Sequence, residues 1–249
     1  MSERKVTPAK TAPEIRNILK LEGSAEHATG VQWFFKEEIK SHGWYTADLR
    51  RLASHFRHTL GKEQGLEFLI QVADRLFTGR ILEEKIVAVF LLEKSISSFE
   101  EEQFSLFESW IDRITSWADH DGLVHYLIAP LITAKPERVA KVFEWAKSPD
   151  RWHRRAACVA LIHGTRRRQF FPKIQQLSNM LLQDEDDMVQ KGLGWLLRET
   201  AKADAKRTIP YLLTIRQRAS RLVLRTACET LSQADKTKIL SYVYNSHSL

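Results

Sequence analysis

Apolar residues along this chain return at intervals of three and four, the mark of amphipathic helices, and the arrangement itself returns about every 35 residues. The periodicity predicts helices over 13–22, 25–41, 46–60, 63–78, 82–96, 100–117, 119–133, 136–147, 150–164, 171–183, 187–203, 207–217 and 219–243, the last broken near Ser232. Thr46, Ser98, Asp150 and Asp187 stand just ahead of apolar runs as expected N-caps. Segments beginning at Ala47, Leu82, Trp117, Trp152, Met188 and Leu222 align with one another at spacings of 35, 35, 35, 36 and 34. A period of this length belongs to helical solenoids, in which stacked helix pairs bury one continuous core.

One column of the repeat is almost wholly basic: Arg50, Lys85, His120, Arg155, Lys191 and Arg225. Stacked repeats are expected to line these six side chains along one surface, the shape of a groove for a polyanion. The expected architecture is therefore an all-α superhelical solenoid of about six HEAT-like helix pairs with a concave basic groove, in a single domain over 13–249 behind a loose leader at 1–12.

Composition agrees. The 249 residues are 43% apolar, and 10 Gly and 7 Pro with little β-branched alternation leave scant material for strands. Pro136, Pro149, Pro172 and Pro210 fall between periodic stretches. The two cysteines, Cys158 and Cys228, share a repeat column with Ala53, Ala88, Leu123 and Gly194, so they read as small core residues two repeat steps apart, too far to bridge. Neither a cleavable leader nor a membrane-length apolar run is evident, and a reduced, cytoplasmic protein is expected.

The 38 Lys and Arg against 31 Asp and Glu give a net charge of +7, which favours an acidic partner. Arg154, Arg166 to Arg168, Arg198, Arg216, Arg218 and Arg221 add to the column in the C-terminal half. On the residues alone, DNA, RNA and acidic proteins all fit.

Three positions break their own column. Asp121 is an acid where other repeats carry Arg51, Ile86, Ala156, Gly192 and Thr226; it reads either as an ion-pair partner of Arg155 or His120 or as a carboxylate kept ionised by cations. Trp117 precedes it by four residues in WADHD, so in a helix the two side chains share a face, about 5–6 Å apart at Cβ. Trp195 stands where the repeats hold Ser54, Val89, Val124, Val159 and Glu229; it is too large for that place in a regular stack, and beside Gly192 and Gly194 it is expected to project toward an approaching ligand. Trp110, Trp145 and Trp152 read as core. His55 and His58 lie at a helical spacing and Asp119, His120, Asp121 and His125 cluster, but no Cys joins them and no HExxH-like pattern occurs, so no metal site is expected. No phosphate-cradling Gly loop and no GxSxG elbow is present.

The segments SWADHDGLV (116–124), WHRRAACVAL (152–161) and VQKGLGWLLRETAK (189–202) together resemble the AlkD-like DNA alkylation repair glycosylases, which are built of HEAT-like repeats. The likeness runs from about residue 25 to 232. It is loose over Trp33, Phe34, Phe35 and HGWYTADLRR, and Thr200 stands where relatives often have an aromatic. The resemblance implies that Asp121 is the catalytic carboxylate, that Trp117 and Trp195 flank the damaged nucleotide, and that Arg155 contacts the backbone beside the lesion. Arg154, Lys191, Arg198, Arg221, Arg225, Lys85 and Arg50 are the expected further DNA contacts. The implied substrate is double-stranded DNA bearing an N3- or N7-alkylated purine, acted on by a monofunctional monomer that needs no cofactor, metal, membrane or base-flipping pocket. Two further readings share the architecture: a non-catalytic module for branched or distorted DNA, and a protein-interaction scaffold.

Overall fold

The computed structural model describes residues 6–241, whose regular structure is all helical, with no strand among them. The helices are α1 (Pro8–Leu21), α2 (Ala25–Gln32), α3 (Thr46–Gln64), α4 (Leu66–Phe77), α5 (Leu82–Leu92), α6 (Glu101–Trp110), α7 (Trp117–Leu123), α8 (Ala129–Ala134), α9 (Val139–Trp145), α10 (Arg151–Val159), α11 (Ile162–Thr165), α12 (Phe171–Leu181), α13 (Asp187–Ala203), α14 (Ala205–Ile215), α15 (Arg221–Cys228) and α16 (Gln233–Leu240). Short 3₁₀ turns cover Ile96–Ser98, Ile111–Arg113 and Pro136–Arg138, and a π-helical turn covers Val124–Ile128. No described helix is long and apolar enough to cross a membrane.

The chain divides into two compact units, residues 1–127 and 128–249. In the first, α3 packs on α5 and α5 on α7; in the second, α10 packs on α13 and α13 on α15. These six helices are those that carry the repeat column, so within each unit the 35-residue register is a stacking register of the solenoid type. The small-residue column is buried as expected: Ala53, Ala88, Leu123, Cys158 and Cys228 are at most 1% exposed. Both cysteines are free thiols. Burial pushes the Cys158 thiol up to about 12 and the Cys228 thiol up to about 11.

Several boundaries differ from the periodicity. Pro8–Ala12, expected in the leader, open α1, where the Pro8 ring suits the first turn. Residues 1–5 and the expected helical positions 242–243 lie outside the described residues. The helix expected over 25–41 stops at Gln32, and the chain then runs irregularly to Tyr45. Asp150 caps α10 by accepting from the Trp152 and His153 amides, but α13 is capped by Asp186, one residue before Asp187. Glu100, rather than Ser98, caps α6 through a capping box with Gln103, and Thr46 lies inside α3.

Gly192 and Gly194 serve the stack itself. A Cβ on Gly192 would come 3.2 Å from Arg155 Cγ, and one on Gly194 would come 2.7 Å from Thr226 Cβ. What approaches α13 so closely is α10 and α15 of the same unit, which corrects the expectation of a helix opened for a ligand. The Gly194 contact is with a Cβ that no rotamer change can move. Gly194→Ala is accordingly expected to destabilise the protein by about 1–3 kcal/mol, overpacking outweighing the gain in helix propensity, as a thermal melt will read.

Candidate functional site

In the first unit the site is built around α7. Ser116 caps the helix and forms a capping box with Asp119, so that Trp117 and Asp121 fall one turn apart on it. The Asp121 side chain is 19% exposed and its Oδ1 lies 2.7 Å from His120 Nδ1. The imidazole, itself fully buried, fixes the carboxylate through this contact. His120 is one of the two structural partners the sequence suggests for Asp121. Trp117 is half-buried and stacks on Phe35, with ring centroids 4.9 Å apart and planes 19° off parallel. One indole face is thus already occupied by a residue that the periodicity does not mark.

Beneath α7 lies a buried ion pair. Lys85, on α5, and Asp119 are each 1% exposed and meet at 2.9 Å. Lys85 Nζ also donates to the Arg113 carbonyl and to Thr115 Oγ1. Asp119 accepts from the Thr115 and Ser116 amides at 2.9 and 2.7 Å and from both hydroxyls. The expectation that Lys85 reaches DNA is corrected: it is sealed inside, holding the turn from which α7 starts. Arg50, two repeats' worth of column apart from α7, stays at the surface, 3.9 Å over the Phe90 ring and 2.5 Å from Glu93.

The segment leading to α3 is held by a second buried acid. Glu83 accepts from Ser41 Oγ (2.6 Å) and from the amides of His42 (3.0 Å), Gly43 (2.9 Å) and Trp44 (3.3 Å). Gly43 has φ 78°, and a Cβ there would sit 1.9 Å from the Ser24 carbonyl oxygen, so only glycine fits.

In the second unit Arg155 is 5% exposed and donates to the Met188 carbonyl at 2.5 Å, tying α10 to the first turn of α13. A guanidinium expected to face the DNA backbone is therefore packed inward. With Lys85, His120 and Arg155 all buried, the basic column is not one outward stripe: Lys85 and Arg155 are long cations that fill the gap to the next column helix of their own unit. Arg154 is also committed, to Asp184 at 2.6 and 3.3 Å and to the Ser148 and Pro149 carbonyls. The hydrogen bond from Arg154 to Asp184 raises the guanidinium pKa above its ordinary value. Arg198 bridges Glu199 (3.1 Å) and Glu229 (2.6 Å); burial opposes its charge, and the two carboxylates outweigh burial and raise its pKa.

Trp195 is part-exposed on α13. Lys191 keeps 41% of its side chain exposed beside Asp187, and Arg221 and Arg225 are exposed on α15, Arg221 donating to the Leu240 carbonyl. Arg166 to Arg168 are exposed as well. Trp110, Trp145 and Trp152 are core, at most 8% exposed.

The class these features define is a helical-repeat protein that sets an indole and a histidine-braced carboxylate one turn apart on a short helix. Among the described residues no group of His, Cys, Asp and Glu is arranged to hold a metal ion. The chain belongs to the DNA alkylation repair enzyme family, which matches residues 15–231. It is similar in fold to a solved structure described as "Predicted DNA alkylation repair enzyme from Enterococcus faecalis", with a TM-score of 0.76 and 16% identity over 86% of this chain and 99% of that one. No curated protein matches it. Family membership makes the chain an enzyme of DNA repair and DNA its substrate.

Proposed function

We propose that the protein is a monofunctional DNA glycosylase that releases N3- and N7-alkylated purines from duplex DNA. The observation that carries this reading is Asp121: a partly exposed carboxylate, fixed by a buried imidazole and one turn from an indole. Alkylation at N3 or N7 makes the purine a cation, so it departs as a neutral base with the electron pair of the N-glycosidic bond and needs no general acid. Positive charge then moves to the deoxyribose, where a fixed anion stabilises the oxocarbenium-like transition state. Water adds to C1′ and gives up its proton, and an abasic sugar remains. The carboxylate is the group this path requires.

The part-exposed Trp117 indole supplies a face for the charged nucleotide, a contact worth about 0.5–2 kcal/mol. Arg50, Lys191, Arg221 and Arg225 are the cations whose exposure suits them to phosphate. The reaction calls for no cofactor, because the lesion brings its own leaving-group charge, and we read the enzyme as a cytoplasmic monomer. In a base-release assay on duplex DNA carrying 7-methylguanine or 3-methyladenine, the native protein is expected to yield free base and an alkali-labile abasic site. Salt-sensitive binding without release would instead make it a DNA-binding module, and the glycosylase reading would be abandoned.

A further inference from the structure

The first unit carries an aromatic feature that the chemistry at Asp121 does not use. Trp33 is 87% exposed and Phe34 76%, the most exposed aromatic side chains among the described residues. They are adjacent, at the end of α2, on backbone that is tied down. The Trp33, Phe34 and Phe35 amides donate to the Gly30, Val31 and Gln32 carbonyls. The Gln32 side chain then staples the next seven residues of backbone: Nε2 donates to the Phe35 and Glu37 carbonyls (3.4 and 2.9 Å), and Oε1 accepts from the Ile39 amide at 2.9 Å. The next residue after the exposed pair, Phe35, is the ring stacked on Trp117. An ordered turn thus presents two large rings to solvent directly beside the helix of the carboxylate.

Two such rings left in water forgo the stabilisation that burial would recover, so the turn suits an occupant. Continuity with Trp117 and Asp121, and a chain of net charge +7, identify that occupant as DNA rather than a second protein. The rings carry no charge and cannot neutralise a phosphate; what their faces match on DNA is the face of a base. We infer that Trp33 and Phe34 form a wedge that stacks on bases exposed at an unstacked step of the duplex next to the lesion. This inference rests on the glycosylase reading for its location and not for its chemistry. Side chains of this kind open base steps, and stacking on the bases so exposed offsets the cost of opening them.

The test uses the full chain and a short duplex containing a tetrahydrofuran abasic analogue flanked by 2-aminopurine, whose emission reports stacking. Native protein is expected to bind and change that emission. Trp33→Ala/Phe34→Ala, altered only at exposed positions, should bind at least about tenfold more weakly and leave the emission as in free DNA. The slope of log affinity against log salt should not change, because no phosphate contact is lost. Trp33→Phe/Phe34→Tyr should restore most of the affinity. Equal affinity and emission for native protein and the double alanine variant would overturn the wedge, and so would a reduced salt slope. Base release by native protein, measured on 7-methylguanine duplex in parallel, reports separately on the glycosylase reading. Failure of native protein to bind any duplex would overturn both.

Discussion

Asp121→Asn is expected to lower single-turnover release of 7-methylguanine about 100- to 1000-fold while leaving affinity for the abasic-analogue duplex nearly intact. The magnitude follows from removing one preorganised charge at the place where positive charge develops. The substitution keeps the shape, and the amide can still meet His120 Nδ1, 2.7 Å away in the native protein, so the change reaches charge before geometry. Residual release will be visible, because the cationic base leaves slowly unaided. Native rates in this variant would remove Asp121 from the chemistry; loss of binding in step with rate would make it a structural residue.

The second large effect concerns a residue that never meets solvent. Lys85→Met is expected to destabilise the protein by about 3–5 kcal/mol, since it leaves the Asp119 carboxylate buried without its counter-charge. For a chain of this size that is a fall in Tm of roughly 10 °C. Adding Asp119→Asn should recover part of the loss by removing the stranded charge, although not all of it, because both Asp119 oxygens also hold the Thr115 and Ser116 amides. Calorimetry on the two variants checks both statements. Were the melts of Lys85→Met and native protein to coincide, the pair would contribute nothing, as exposed ion pairs often do.

The repeat is legible in the sequence because stacking acts at every turn of it. The column of Ala53, Ala88, Leu123, Cys158, Gly194 and Cys228 holds mostly small residues because neighbouring helices approach there, and that constraint prints directly onto residue size. Trp117 and Asp121 are legible for a related reason, being exceptions in a regular pattern, and α7 does hold them one turn apart. The basic column misleads because a long cation can serve two ends. Period alone does not tell an outward Lys191 from a Lys85 whose stem crosses the core to a buried acid, and the acid, Asp119, sits 34 residues away. Nor does any period mark Glu83 or Gln32, whose side chains organise irregular backbone through contacts with amides and carbonyls that carry no side-chain signal. Phe35 lies in such backbone, so nothing in the pattern announces its stack on Trp117.

The two thiols bear on the circumstances in which such an enzyme is needed. A cell accumulates methylated purines when electrophiles are abundant, and the softest targets those reagents find in protein are thiolate sulfurs. Burial pushes Cys158 up to about 12 and Cys228 up to about 11, so both stay thiols at neutral pH, and both residues are buried. The repair protein is thereby itself a poor substrate for the poison whose damage it meets.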